Sequence, residues 1–299
     1  MPDDLRPHLE IVLRNASLRS TLTQIPRLEI NFGQATAATS PCLYRSMVCF
    51  ILQGSKDVAL SHELLSYDPA QYLISALDLP LSGQIRDADD GQPYVAVSLT
   101  LDPALLAEVA STMPPVHDTE AQGTGIAINP MTTLLRDTLL RLLSLLDAPN
   151  DIPGLAPIVE RELLYRLLQG SQGRLLRQIA QPDGALGRIR RAVAWIRAHH
   201  ATRLRIEALC DASGMSRASL HRHFVALTGL SPIQYQKQLR LQEARQLLLA
   251  GDHSASDVAF VVGYESASQF SREYLRQFGA PPARDVRQIR QAIGSAALA

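Results

Sequence analysis

The chain has 299 residues, 46% of them hydrophobic and 19% charged, which fits about two soluble globular domains. Its charges cancel overall, yet residues 1–184 carry 13 Lys/Arg against 21 Asp/Glu, and residues 185–299 carry 16 against 8. An acidic half joined to a basic half suits contact with a polyanion through one half only. Arginine supplies all but Lys237 of the basic side chains after residue 184, and arginine offers the planar fork that suits phosphate and guanine.

Residues 5–22 place Leu5, Leu9, Val12, Leu13 and Ala16 on one stripe, which predicts a helix that Pro26 ends. Charged residues from Asp3 to Arg19 interrupt this stretch, so a secretory signal is not expected. Residues 28–101 change period. Strands are expected at Leu28–Phe32, Met47–Gln53, Asp57–Leu60, Glu63–Tyr67, Gln71–Leu77, Leu79–Ile85 and Tyr94–Leu101. Breaks are expected at Gly33, Pro41, Gly54-Ser55, Asp68-Pro69, Gly83 and residues 89–93, with Gln53 to Lys56 as a hairpin turn. Seven short strands at this density predict a small barrel or sandwich.

A helix from Pro103 to about Ser111, capped by Asp102, comes next, then a linker at 113–123 and a strand at Thr124–Asn129. Pro130 to Asp147 reads as a leucine-rich helix, broken by Pro149 and Pro153. Its leucine stripe suits either packing on its own barrel or a dimer seam. Further helical stretches are expected at Pro157–Gly170, Arg174–Ala180 and Asp183–His200.

One short pattern then occurs twice. A small residue (Cys210, Ala259) stands four positions before a glycine (Gly214, Gly263), an apolar residue comes after the glycine, and Ser216 or Ser266 opens the next helix. The small residue admits a crossing helix, the glycine supplies left-handed backbone, and the serine caps the second helix. Ser266 with Gln269 has the S-x-x-Q spacing of a capping box. Each unit reads as a helix-turn-helix. Between them Ser231-Pro232 opens a connector helix to Ala250, whose 19 residues span roughly 28 Å at about 1.5 Å each. A rod of that size suits two reading helices about one DNA turn apart. Helical spacing turns Leu220, Phe224, Phe270 and Tyr274 inward and leaves His221, Arg222, Ser268, Gln269 and Arg272 outward.

Residues 185–290 resemble the DNA-binding domain of the AraC/XylS family of bacterial transcription regulators. The likeness rests on Gly214-Met215-Ser216, Leu220-His221-Arg222-His223-Phe224, Thr228-Gly229-Leu230-Ser231-Pro232, Arg240-Leu241 with Ala244-Arg245, Val262-Gly263-Tyr264-Glu265-Ser266, Gln269-Phe270-Ser271-Arg272 and Phe278-Gly279-Ala280-Pro281-Pro282. Cys210 departs from the family's usual alanine but is also small. Ile51-Leu52-Gln53-Gly54-Ser55-Lys56, Tyr67-Asp68, Tyr72-Leu73, Leu79-Pro80 and Pro93-Tyr94 resemble the amino-terminal domain of one AraC subgroup.

The resemblance implies an α+β chain: a cupin-like β-barrel sensor at 1–115, a linker and helical connector at 116–182, an all-α domain with two helix-turn-helix motifs at 183–290, and a tail at 291–299. It implies base reading by Ala218, His221, Arg222, Ala267, Ser268, Gln269 and Arg272, and phosphate contact by Ser216, Arg217 and Arg276. His223 is expected to be structural or phosphate-facing. Tyr44, Lys56 and Tyr72 are the candidate effector contacts. The expected partners are a double-stranded DNA operator, RNA polymerase, a small-molecule effector and a second copy of the chain, in the cytoplasm.

No enzyme or cofactor is expected. The strand region 28–101 has only His62, with His117 beyond it, too few for a catalytic metal, and no nucleophile elbow or phosphate loop is present. Three cysteines, Cys42, Cys49 and Cys210, do not make a disulfide framework. Cys49 lies in an apolar strand pattern that suits an inert buried thiol better than a reactive one. The alternative to effector sensing is a DNA-binding protein whose barrel makes only protein contacts.

Overall fold

The computed structural model describes residues 6–16, 19–35, 40–60, 63–88, 91–114, 124–251 and 253–296. Among these residues, ten strands form two antiparallel sheets. The six-stranded sheet runs β1 (Arg19–Leu22), β2 (Leu28–Gly33), β9 (Tyr94–Thr100), β4 (Met47–Gln53), β7 (Gln71–Ser75), β10 (Ile126–Pro130). The four-stranded sheet runs β3 (Ser40–Tyr44), β8 (Leu79–Arg86), β5 (Ser55–Leu60), β6 (Glu63–Tyr67). Their inner faces meet: the Tyr67 hydroxyl, on β6, lies 3.5 Å from the Cys49 sulfur, on β4.

The amino-terminal helix is shorter than its apolar stripe suggests. α1 covers Arg6–Asn15, and Arg19–Leu22 pairs with β2 instead of continuing the helix. The turn joining those strands contains Arg27 at φ 66, tied to Glu160 at 2.7 and 2.8 Å. Pro41 and Gly83, expected as breaks, lie inside strands. Proline is tolerated because β3 is a sheet edge, bonded on one side only. Gly83 instead sits between Ser40 and Val58 in the middle of the ladder.

Gln53 to Lys56 is not a hairpin. β4 and β5 belong to different sheets, so Gly54 is a corner where the chain crosses from one to the other. Its φ of 79 and the Arg86 carbonyl, 2.4 Å from where a Cβ would stand, both require glycine.

α2 (Pro103–Ser111) is capped by Asp102, which accepts from Ala104 N at 2.8 Å. Residues 115–123 of the expected linker lie outside the described residues, as do His62, His117 and the side chain of Cys42. Pro130 ends β10, and α3 (Thr133–Ser144) starts behind the Thr132 cap. Its leucine stripe is covered within the chain: Leu135, Leu139, Leu142 and Leu143 are buried and α3 packs on α1 and α4, while Leu134 stays exposed. Pro149 falls in a 3-10 turn, but Pro153 sits in the first turn of α4 (Ile152–Gln169), where its missing N–H costs nothing. α5 (Gly173–Ile179) and α6 (Ala185–Ala198) come next.

The remaining helices are α7 (Ile206–Ser213), α8 (Arg217–Thr228), α9 (Pro232–Ala250), α10 (Ala255–Val261), α11 (Ala267–Phe278) and α12 (Pro282–Ala296). One apolar core runs from Leu9 in α1 to Leu239 in α9, joining barrel, helical layer and first helix-turn-helix. A second, separate core from Leu241 to Val286 belongs to the other helix-turn-helix. The barrel docks through β8 and the turn before it. Tyr235, on α9, donates to the Asp78 carbonyl at 2.7 Å, Gln242 donates to the Leu81 carbonyl at 3.3 Å, and Arg197 pairs with the Asp78 carboxylate. No helix among the described residues is long and apolar enough to cross a membrane.

Candidate nucleic-acid interface

Each helix-turn-helix closes by the same backbone device. Gly214 and Gly263 have φ of 64 and 89, and the next residue bonds back five positions: Met215 N to Cys210 O at 3.1 Å and Tyr264 N to Ala259 O at 2.9 Å. These are the six-to-one bonds of a Schellman turn. Ser216 caps α8 through Ser219 N, and Ser266 caps α11 through Gln269 N, both at 3.4 Å. The second cap is not the full box that its spacing suggests. The Gln269 side chain turns away and donates to Glu273 at 3.5 Å. A complete box stands instead at the start of α9, between Ser231 and Gln234.

The two second helices split alike into anchored and outward faces. Leu220 and Phe224 hold α8, and Phe270 and Tyr274 hold α11, all at 1% exposure or less. Arg217, Ala218, His221 and Arg222 are exposed on α8, and Ser268, Gln269, Arg272 and Arg276 on α11, with Ala267 half-buried. The Arg222 guanidinium lies 3.2 Å from Nε2 of His223, which is itself half-buried. Arg217 comes directly after the capping serine, where unpaired backbone N–H groups favour an anion. An outward arginine can pair with guanine O6 and N7, and an outward glutamine with adenine N6 and N7.

Sequence patterning did not reveal what fixes these helices against each other. Arg240, in the middle of α9, donates to the carbonyls of His200 (2.6 Å), Thr202 (2.8 Å) and Gly263 (2.8 Å). It therefore ties the loop before α7 to the turn of the second unit. Gly263 seats against that same loop, with Ala201 O 1.9 Å from the position of an added Cβ.

Glu273 is the other unforeseen residue. It accepts from Lys237 (2.9 Å) and Tyr264 (2.9 Å) as well as Gln269. Burial raises its pKa, but the hydrogen bonds from Lys237 and Tyr264 outweigh that and hold it below the ordinary glutamate value. A carboxylate only accepts, so it engages one N–H of the Gln269 amide, whose second N–H and oxygen match the N7 and N6 of an adenine. The spacing of Gln269 and Glu273, four apart on a helix, was the available signal.

In the barrel, Lys56 and Tyr44 come together. The Lys56 ammonium lies 4.9 Å from the centre of the Tyr44 ring and 5.9 Å from that of Tyr94. Tyr72 is not with them. It pairs with Phe50 on the opposite face of β4 from Cys49, with their rings 5.8 Å apart, toward Gly170. Cys49 is buried, and burial raises its pKa above the ordinary thiol value. Among the described residues no cluster of three His, Cys, Asp or Glu could hold a metal.

Residues 24–175, about half the chain, match the family model of the AraC-type transcriptional regulator N-terminus, and residues 209–288 match a helix-turn-helix domain. The chain belongs to the AraC family of transcriptional regulators. Curated relatives include the HTH-type transcriptional activator RhaS of Salmonella schwarzengrund and of Salmonella arizonae. Each is 33% identical over 156 residues, covering 51% of this AraC-family chain and 54% of the relative. The chain thus spans about half the length of the relatives it matches.

Among solved structures, an apo variant of ToxT from Vibrio cholerae superposes with a TM-score of 0.59 at 10% identity, covering 89% of this chain and 98% of that one. Unsaturated fatty acid bound wild-type ToxT gives 0.57 at 11%, covering 87% and 94%. At such identity the likeness is one of fold: a sheet-rich amino-terminal domain and then a helical domain with two helix-turn-helix motifs.

Proposed function

We propose that this regulator binds a double-stranded operator through residues 183–290 and reads two adjacent major-groove segments. Ala218, His221 and Arg222 face one segment, and Ala267, Ser268, Gln269 and Arg272 face the other. Ser216, Arg217 and Arg276 hold phosphates. The observation that carries this reading is the pair of helices with matching inward and outward faces, coupled by Arg240 across both units.

Residues 1–115 form the effector module, with residues 116–182 connecting it to the DNA-binding unit. Lys56, which lies over two tyrosine rings and pairs with no carboxylate among the described residues, suits the anionic group of a small effector that is bound and not turned over. A fatty acid bound to ToxT, a protein of this fold, supports a barrel that holds a small organic molecule. The protein works in the cytoplasm with RNA polymerase. A second copy has exposed Leu134, Leu155 and Ile158 available to it.

The test separates reading from holding. Replacing Arg222 with alanine is expected to cost about 1–3 kcal/mol on a duplex enriched by the full chain from a random pool, and to relax preference at one base pair. Arg217→Ala should weaken that duplex and a scrambled one by similar factors and lower the salt slope by about one unit. Binding titrations at several salt concentrations decide it. Equal weakening of both duplexes by Arg222→Ala would make that residue a phosphate contact and overturn the orientation of α8.

A further inference from the structure

Where the acidic and basic halves meet, a cavity of about 430 Å3 opens beside α6. Asp78 and Pro103 wall it from the barrel side, and Ile179, Arg190, Val193 and Ala194 from the helical side. This volume lies within the range of small-molecule sites.

The charges around it are unevenly matched. The Asp78 carboxylate is already engaged by Arg197 and by Ser46 N at 3.3 Å. Arg191, which also lines the cavity, reaches the Pro182 and Ser213 carbonyls and lies 3.8 Å from Asp183. Among the described residues, the half-buried Arg190 has one long contact, 3.3 Å to the Ile179 carbonyl, and no carboxylate is bonded to it. Burial lowers its pKa from the usual arginine value, while Asp78 acts in the opposite sense. A guanidinium carries five N–H donors, and a partly desolvated cation is stabilised most by an anion bonded in its fork.

We propose that this cavity is a second ligand site, separate from the barrel, that takes a small amphipathic anion. Its carboxylate binds Arg190, and its apolar body lies against Ile179, Val193 and Pro103. Such a ligand touches both halves of the chain, so it favours the docked arrangement held by Asp78, Arg197 and Tyr235. By linkage, anything that changes that docking changes the ligand's affinity in turn.

The test is calorimetric titration of the full chain with 4-phenylbutyrate, and with 4-phenylbutanol as the uncharged counterpart. Saturable binding of the acid is expected, weaker by about tenfold or more for the alcohol and for Arg190→Met, as loss of a charge-assisted hydrogen bond implies. Ala194→Trp, at the exposed rim, should block the cavity and serves as the second arm should Arg190→Met fail to fold. Lys56→Met separates this site from the barrel. Three results overturn the proposal: no saturable binding, equal binding of acid and alcohol, or loss in Lys56→Met with retention in Arg190→Met and Ala194→Trp. The last would place the carboxylate in the barrel.

Discussion

Replacing Asp285 with alanine should unfold the second helix-turn-helix while the barrel and the first stay folded. Asp285, on α12, accepts two hydrogen bonds from Arg245 of α9 at 2.7 and 2.8 Å and one from the Tyr274 hydroxyl of α11 at 2.7 Å. Arg245 is only 8% exposed and also lies over the Phe278 ring at 4.7 Å. Truncating Asp285 leaves a buried guanidinium and a buried hydroxyl without their acceptor. Removing one partner of such a pair costs about 3–5 kcal/mol. The loss stays local because the core from Leu241 to Val286 is separate from the one that includes the barrel. Hydrogen exchange should show lost protection across α10, α11 and α12 with protection kept in β4, β7 and β9. Uniform loss across both cores would contradict this division, and so would no loss at all.

The two turn glycines should respond very differently to the same change. At Gly214 an added Cβ meets nothing within 4 Å, so Gly214→Ala should cost only the left-handed backbone, about 1–2 kcal/mol. At Gly263 the same Cβ would stand 1.9 Å from Ala201 O and 2.6 Å from Ala201 C. Those atoms are backbone and cannot rotate away, so the two helix-turn-helix units must separate. Overpacking adds about 1–3 kcal/mol to the backbone strain, giving roughly 2–5 kcal/mol. Arg240 would lose register with the Gly263 carbonyl in the same movement. Thermal melts of the two variants give the comparison. Equal shifts would mean that the seam between the units yields, and that Gly263 acts only through its own turn.

The helix-turn-helix pair was legible because its signals are local. A glycine, a small residue four positions before it and a capping serine fix each turn within about a dozen residues. The inward positions of Leu220, Phe224, Phe270 and Tyr274 come from helical spacing alone. The barrel was legible as strands but not in its corners. Alternation does not distinguish a hairpin from a crossing between sheets, which is why Gly54 reads as a hairpin turn. An edge strand such as β3 can carry a proline that reads as a break.

The contacts that assemble the molecule were not legible at all. Arg245 and Asp285 lie 40 residues apart, and Tyr235 and Asp78 lie 157 apart. Nothing in the local pattern of either residue marks its partner. In the barrel, Lys56 and Tyr44 converge because their strands both flank β8, whereas Tyr72 belongs to the other sheet and points away from its interior.

The central claim is that both second helices read one DNA site side by side. It is tested most directly by methylation protection of a duplex that the full chain enriches from a random pool. Two protected major-groove segments are expected on one face of the duplex, centred about 10 base pairs apart. Arg272→Ala should remove protection from a guanine in one segment and Arg222→Ala from a guanine in the other. A single protected segment, or two that both survive the loss of either arginine, would contradict side-by-side reading.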